Sequence, residues 1–344
     1  MDIVELLKKV VDGKNLSIEE SYYIAHSIIR GNVSEVLTVA ILIALRMKEE
    51  IADEIIGFAK AMREMSIKIN APNAIDVVGT GGDGFGTINV STASALLVSI
   101  LHPVAKHGNR AVSGRSGSAD FLEAIGYKIE VEPHKAEELL KKTNFVFLYA
   151  PLYHPSMKNV APIRKTLRVR TIFNLLGPLT NPGGTKRQVV GVALHKYINT
   201  IAEAIQKLDF EKVILVHGEP GIDEVSPQGR TYIVEVSKTK IDSYVVEPED
   251  FGVSRFEAKE VLASSPEESA IKVLKAVLGR ERAVASFIKM NAAVAFYLLD
   301  KAKDLKDGYE LADQILPMMI DKIKELIIFN GDEVKFNALL GRAL

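Results

Sequence analysis

The sequence has no cysteine and no tryptophan in 344 residues. The first absence excludes disulfides and thiolate metal sites, and it fits a reducing compartment, so a cytoplasmic protein is expected. There is also no excess of charge of one sign. Lys plus Arg number 43 against 44 Asp plus Glu, which removes any global electrostatic pull toward nucleic acid or anionic membrane. An anion site, if present, must therefore be local. The opening "MDIVELLKKVVDGKN" alternates charged with apolar residues and lacks the apolar run of a signal peptide. One stretch, residues 84–105, carries no Lys, Arg, Asp or Glu and is about as long as a membrane span. Asn89, Ser91, Thr92, Ser94, Ser99, His102 and Pro103 interrupt it, so a buried helix of an α/β domain is the expectation rather than a span.

Two kinds of pattern divide what is present. Residues 1–66 read as a bundle of about four helices. "SIEESYYIAHSII" opens on a capping box, Ser17 with Glu20, and "NVSEVLTVAILIALRMK" and "EEIADEIIGFAKAMREM" repeat apolar residues every three or four positions. Asn70, Pro72 and Asn73 break this reading, and a hinge is expected near 66–73. Beyond it, "IDVV", "PVAKHG", "YKIEV", "FVFLYA", "RQVVGVAL", "KVILVHG" and "TYIVEV" read as strands. Helical segments such as "SADFLEAIG", "PHKAEELLKKT" and "NTIAEAIQKL" lie among them. Strand–helix alternation predicts a mostly parallel central sheet flanked by helices. The fold class is α/β, with a small N-terminal helical domain (1–69, joined by helices from about 155–175) and a larger α/β domain (70–344). Residues 266–329 return to a helical pattern.

The chemistry gathers at "GTGGDG", residues 79–84, between the strand "AIDVV" and a helix expected near Asn89. Gly79, Gly81 and Gly84 match G-x-G-x-x-G, and a helix start with glycine-exposed amides is a natural anion site. A dinucleotide site also needs an acid about 20 residues on, for the ribose. None occurs between Asp83 and Asp120; that interval holds Lys106, His107, Arg110 and Arg115 instead. The NAD reading fails, and so does the P-loop, because Phe85 rather than Lys follows Gly84. A highly charged phosphate ligand remains. "NVST" (89–92) offers an amide and two hydroxyls at the helix start, "KHGNRAVSG" (106–114) two cations in a flexible turn, and "RSGSAD" (115–120) a further turn into a helix.

"GTGGDG", "NVST", "KHGNRAVSG", "SGSADFLEAIG", "YHPSMK", "RTIFNLLGPLTNP" and "DEVSP", taken in order, resemble the anthranilate phosphoribosyltransferase family. That family shares its fold with pyrimidine nucleoside phosphorylases. The likeness spans essentially the whole chain. It implies a homodimer whose substrates, anthranilate and phosphoribosyl pyrophosphate, meet between a helical and an α/β domain, with Mg2+ (one or two ions) as cofactor. By match to the family motifs, Gly79, Gly82, Asp83, Thr87, Asn89, Ser91 and Thr92 contact the phosphoribosyl pyrophosphate. Lys106, Asn109, Ser113 and Ser118 complete that site, and Thr80, Gly81, Val90, Gly108, Arg110 and Gly114 lie in the same motifs. Lys106, Asn109 and Arg164 are the expected catalytic set. Arg164 suits a carboxylate because its guanidinium fork binds one bidentately, and His107, His154, Gly177 and Pro178 line the same acceptor pocket. Asp223 and Glu224, with Ser91, are the implied metal ligands. Hard carboxylate oxygens beside a diphosphate suit magnesium, and Gly221 and Pro227 supply the turn that brings two adjacent residues to one site.

Since an aromatic amine is neutral near pH 7, no obligatory general base is expected. Arg168 and Arg170 are not assigned to substrate. Arg168, Tyr149, Ser156 and Pro220 depart from the usual family residues, the first two standing where Gly and Phe are common, and none falls in the phosphate or metal motifs. The apolar faces of the first and third helices serve equally as bundle core or dimer interface. The rival enzymatic reading is a pyrimidine nucleoside phosphorylase. A nucleic-acid-binding relative of the fold would need a basic surface that the balanced charge does not supply.

Overall fold

The computed structural model describes residues 1–71, 73–111 and 116–344. Four helices open the chain: α1 (Ile3–Val11), α2 (Ile18–Ile29), α3 (Glu35–Lys48) and α4 (Ala52–Glu64). The Ser17 capping box forms in full: the Ser17 hydroxyl accepts from Glu20 N at 3.2 Å, and Glu20 accepts from Ser17 N at 2.7 Å. Glu54, fully buried, binds Leu16 N, Ile51 N and the ammonium of Lys48, so one carboxylate ties three loop and helix ends together. Such a buried charge is tolerable because both carboxylate oxygens have donors and one of the donors is an ammonium.

A seven-stranded sheet follows: β1 (Ile75–Gly79), β2 (Val104–Gly108), β3 (Phe145–Tyr149), β4 (Arg187–Gly191), β5 (Lys212–Gly218), β6 (Thr231–Ser237) and β7 (Ile241–Val246), in the order β3-β2-β1-β4-β5-β6-β7. The first five are parallel, and β6 pairs antiparallel with both β5 and β7. Near-continuous apolar strands such as Phe145–Leu148 are what a sheet covered on both faces requires. The charge-free stretch 84–105 resolves into a loop, the short buried helix α5 (Val90–Val98) and the start of β2, and no described helix is long and apolar enough to cross a membrane.

The expected strand "YKIEV" does not form. Tyr127 makes only an isolated bridge to Gly331, and Lys128 N bonds Asn330 O, so a helix end takes the place of a strand partner. The seventh strand is instead β7, a partly exposed edge whose mixed polarity hid it.

Helices cover both faces. On one lie α5, α6 (Ser118–Ala124), α7 (Pro133–Thr143) and the C-terminal α12 (Pro266–Val277), α13 (Arg282–Leu298), α14 (Leu305–Ile315), α15 (Met319–Asn330) and α16 (Glu333–Ala343). On the other, Val78, Val190, Leu215 and Val234 join α11 (Ile198–Lys207) and the bundle in a single core. The segment holding α8 (Ala150–Tyr153), α9 (Ala161–Leu167) and α10 (Phe173–Leu176) crosses from β3 to that bundle. Phe173 meets Phe58 edge-on at 5.6 Å, and Asn159 donates to Ile29 O at 2.8 Å.

Candidate active site

Strand order reverses between β1 and β4, which lie side by side yet continue in opposite directions across the sheet. The crevice beyond their C-terminal ends is the natural ligand site of an open α/β sheet. Gly79 and Gly191 face each other there, and neither position has room for a side chain. A Cβ on Gly79 would stand 2.5 Å from Asp223 Oδ2, and one on Gly191 would stand 1.7 Å from Asp223 O. The acidic loop after β5 thus rests directly on the strand ends. Gly81 N donates to Asp223 Oδ2 at 2.7 Å, and the Thr87 hydroxyl donates to Glu224 Oε2 at 3.0 Å. Gly81 and Gly82 take φ of 66° and 74°, a left-handed pair that only glycine adopts freely. The acidic loop is itself anchored, with Val225 N donating to Asn291 Oδ1 at 3.0 Å and the Ser226 hydroxyl to Glu219 O at 2.6 Å.

Burial pushes the Asp223 carboxyl up to about 6, and repulsion from Asp83 adds to it. Glu224 is raised well above the ordinary carboxylate range, first by burial and then by Asp223 and Asp83. Among the described residues neither acid has an ion-pair partner within contact distance. A carboxylate pair short of positive charge is a fitting seat for a hard divalent cation. Among the described residues no three His, Asp or Glu side chains gather into a self-contained metal centre. Further ligands to a cation here would be waters or substrate oxygens, as magnesium favours.

A cation within electrostatic reach of both acids is Lys106, 1% exposed on β2. Its ammonium donates to Val77 O and lies 3.4 Å from the Ser91 hydroxyl. Burial lowers it to about 8, against the opposing pull of Asp76, Asp223 and Glu224. Ser91 is thereby placed beside the lysine rather than hydrogen-bonded to the acids with which it was grouped as a metal ligand. Helix α5 starts at the same place. Asn89, its N-cap, makes no side-chain capping bond to the backbone; Val90 N is taken by Ile88 O at 2.7 Å, which leaves the Ser91 and Thr92 amides of the first turn for an anion. Two members of "NVST" contribute less than their chemistry promised. Thr92 is fully buried and its hydroxyl donates to Asn89 Oδ1, while the Val90 side chain belongs to the core.

A second cluster forms on the opposite face of β2. His107 Nδ1 lies 3.1 Å from Gly177 O, His154 Nε2 lies 3.1 Å from Thr180 O, and the two rings stand 5.1 Å apart. Burial pushes both imidazoles down, His107 to about 3 and His154 to about 4, so both are neutral near pH 7. His107 Nε2 is buried with no partner among the described residues. The turn bearing Gly177 and Pro178 is fixed by Asn181, which donates to Asp76 at 2.7 Å and to Ala105 O at 2.8 Å. Arg164 comes from α9, its guanidinium 5.9 Å from the Phe173 ring, partly buried and with no described hydrogen-bond or ion-pair partner.

The rest of the expected set is dispersed. Arg110 turns away to pair with Glu123 and, at 3.3 Å, with Asp120, because the α6 acids lie beside its turn. The Thr80 hydroxyl accepts from Ala193 N at 3.0 Å and serves the β1–β4 junction. Asn109 O accepts from the Ser118 hydroxyl at 3.2 Å, and Gly108 packs under Ser118 and Phe147. Ser113 and Gly114 lie outside the described residues. A surface groove of about 600 Å³ between α6, α12 and α16 contains none of the expected site residues.

Comparison with known proteins decides the family. Residues 71–317 match the model described as "Glycosyl transferase family, a/b domain", and residues 4–66 the corresponding helical bundle domain. A relative from Saccharolobus islandicus, named anthranilate phosphoribosyltransferase, is 55% identical over 99% of both chains. The chain belongs to the anthranilate phosphoribosyltransferase family. A member from Metallosphaera sedula is 52% identical, again over 99% of each chain. The crystal structure of the Thermus thermophilus family member superposes with a TM-score of 0.86 at 37% identity, covering 99% of this chain and 100% of that one. The Saccharomyces cerevisiae family member, in complex with PRPP and Mg, gives 0.86 at 27% identity over 95% and 97%.

Arg168, where the resemblance to anthranilate phosphoribosyltransferases implied glycine, ends α9 in the left-handed conformation, φ 52°, a region that favours glycine. Two supporting residues escaped the sequence reading. Asp76 is an acid inside an apolar strand, which was signal enough; Gly191 gave no local sign of its role.

Proposed function

We propose that this chain transfers the phosphoribosyl group of phosphoribosyl pyrophosphate to the amine of anthranilate. The products are N-(5-phosphoribosyl)anthranilate and pyrophosphate, a step of tryptophan biosynthesis. One observation carries the reading: Asp223 and Glu224, without a cationic partner, are braced against a glycine loop at the switch point of the sheet. They would hold Mg2+, which when bound neutralises the diphosphate and favours its departure as an anion.

As the C1–O bond breaks, the ribose gains oxocarbenium character and the diphosphate gains negative charge. The α5 amides and the Lys106 ammonium, buried 3.4 Å from Ser91, stabilise that charge where water cannot screen it. The anthranilate carboxylate pairs with Arg164, and its ring enters beside His107 and His154. His107 donates from Nδ1 to Gly177 O and so presents Nε2 as an acceptor to the amine, orienting the lone pair at carbon 1. Neither ring is basic enough to serve as a strong general base, in keeping with a displacement in which the amine proton leaves late.

Residues 1–69 with about 155–175 move relative to the rest of 70–344 about a hinge near 66–73, closing the acceptor pocket over the phosphate loop. The active species is a homodimer whose interface uses the outer faces of α1 and α3, where Val4, Val11, Val36 and Met47 are exposed. It acts in the cytoplasm, in keeping with a sequence free of cysteine. Two assays on one preparation separate this reading from the phosphorylase. Anthranilate consumption with phosphoribosyl pyrophosphate is expected. Phosphorolysis of thymidine or uridine, with no anthranilate turnover, would overturn it.

A further inference from the structure

Arg170 opens the segment that supplies Gly177 and Pro178 and is itself assigned to neither substrate, yet its side chain reaches the phosphate loop. Its Nη2 donates to Gly82 O at 2.6 Å and to Gly81 O at 3.2 Å. These are the carbonyls of the left-handed pair, φ 66° and 74°, and on its other side Gly81 N is held by Asp223 at 2.7 Å. The loop is gripped from two directions, a cation on its carbonyls and a carboxylate on its amide. The backbone of Arg170 is tied in turn to the helical bundle, where Arg46 of α3 donates to Arg170 O at 2.5 Å. Six residues earlier on the same segment stands Arg164, and four residues later Asn174 Oδ1 accepts from Thr171 N at 3.0 Å. One short piece of chain therefore touches the acceptor arginine, the bundle and the phosphate loop.

We propose that Arg170 is a positioning residue that sets the glycine loop for the diphosphate and links that loop to the arm bearing Arg164. Turning both carbonyls of a left-handed glycine pair toward a guanidinium commits the intervening amides to the other side, the side of the ligand. Glycine makes the loop conformation accessible but does not select it, and a cation whose Nη2 bonds two consecutive carbonyls does select it. The link also gives the two substrates a common element: a shift of the 164–171 segment when the acceptor binds displaces the contacts on Gly81 and Gly82. This inference rests on the function proposed above.

The test compares Arg170→Gln and Arg170→Lys with the unaltered chain. Charge-assisted hydrogen bonds of this kind sustain losses of about 10- to 100-fold when removed. Arg170→Gln is expected to raise KM for phosphoribosyl pyrophosphate by that factor, with KM for anthranilate at saturating co-substrate changed less than about threefold. Arg170→Lys, able to reach one carbonyl, should recover part of the loss. Hydrogen exchange on the ligand-free protein supplies a readout that a direct ligand contact would not move. The Gly81 amide, protected by Asp223, should exchange about tenfold faster in Arg170→Gln while α13 amides keep their protection. Unchanged Gly81 exchange, or equal rises in both KM values, would overturn the inference. Absence of transferase activity in the unaltered chain would instead overturn the function on which it rests.

Discussion

Arg164 carries a positive charge with no described partner, and its worth must therefore appear on ligand binding rather than on folding. Arg164→Gln keeps much of the side-chain packing against Phe173 but loses the bidentate fork. Steady-state kinetics should show KM for anthranilate raised by about 10- to 100-fold, with KM for phosphoribosyl pyrophosphate nearly unchanged and Tm within a few degrees. Lys106→Met tests the other substrate: removing a buried cation beside the diphosphate should lower kcat by roughly 100-fold or more, as loss of a preorganised charge-stabilising donor does elsewhere. The paired histidines set a pH dependence of stability. Their folded-state values, about 3 and about 4, lie below the unfolded value of 6.5, so below pH 6.5 the unfolded chain takes up protons that the folded chain refuses. Stability falls as pH drops from 6.5 toward 4, by on the order of 2 kcal/mol for each ring. Asp76 and Asp223, raised to about 6, act in the opposite sense over part of that window. Denaturant melts of His154→Asn against the unaltered chain cancel the carboxylate contribution. The variant should lose less stability between pH 7 and pH 4.5.

At the scale of elements, the junction of β1, β4 and the acidic loop is the least tolerant part of the site. A methyl on Gly191 would meet the Asp223 carbonyl, a backbone atom that cannot swing aside. Gly191→Ala should therefore displace the acidic loop, abolish magnesium-dependent binding of phosphoribosyl pyrophosphate by calorimetry, and lower stability by about 1–3 kcal/mol. Alternating strand and helix patterns made the parallel sheet and the phosphate loop legible, because a buried parallel strand is an apolar run and a phosphate loop demands glycine. What the sequence could not display was long-range pairing. β7 is an edge strand with mixed polarity, and "YKIEV" has strand composition but finds a helix end instead of a strand. Gly191 looks like any strand glycine until Asp223, distant in sequence, is seen lying on it. Arg110 shows the converse: a cation in a phosphate-binding motif is claimed by Glu123 and Asp120, acids that lie in the next helix.

For the whole molecule, the bundle and one face of the sheet share a core, so the two parts communicate through packed side chains as well as through the connecting chain. The valines and methionine on α1 and α3 are exposed and belong to no core. Placing charges there, Val36→Asp with Met47→Asp, should convert a dimer to a monomer in sedimentation velocity without unfolding either half. A monomer for the unaltered chain would remove the proposed interface. The central claim is that Asp223 and Glu224 seat the cation that makes the diphosphate a leaving group. Anthranilate fluorescence, followed with phosphoribosyl pyrophosphate with and without Mg2+, tests it most directly when Asp223→Asn/Glu224→Gln is run beside the unaltered chain. The account predicts a fluorescence decay in the unaltered chain that requires both phosphoribosyl pyrophosphate and Mg2+, and a loss of the magnesium response in the folded double variant. A decay that is independent of Mg2+, or a double variant with the full magnesium response, would contradict it.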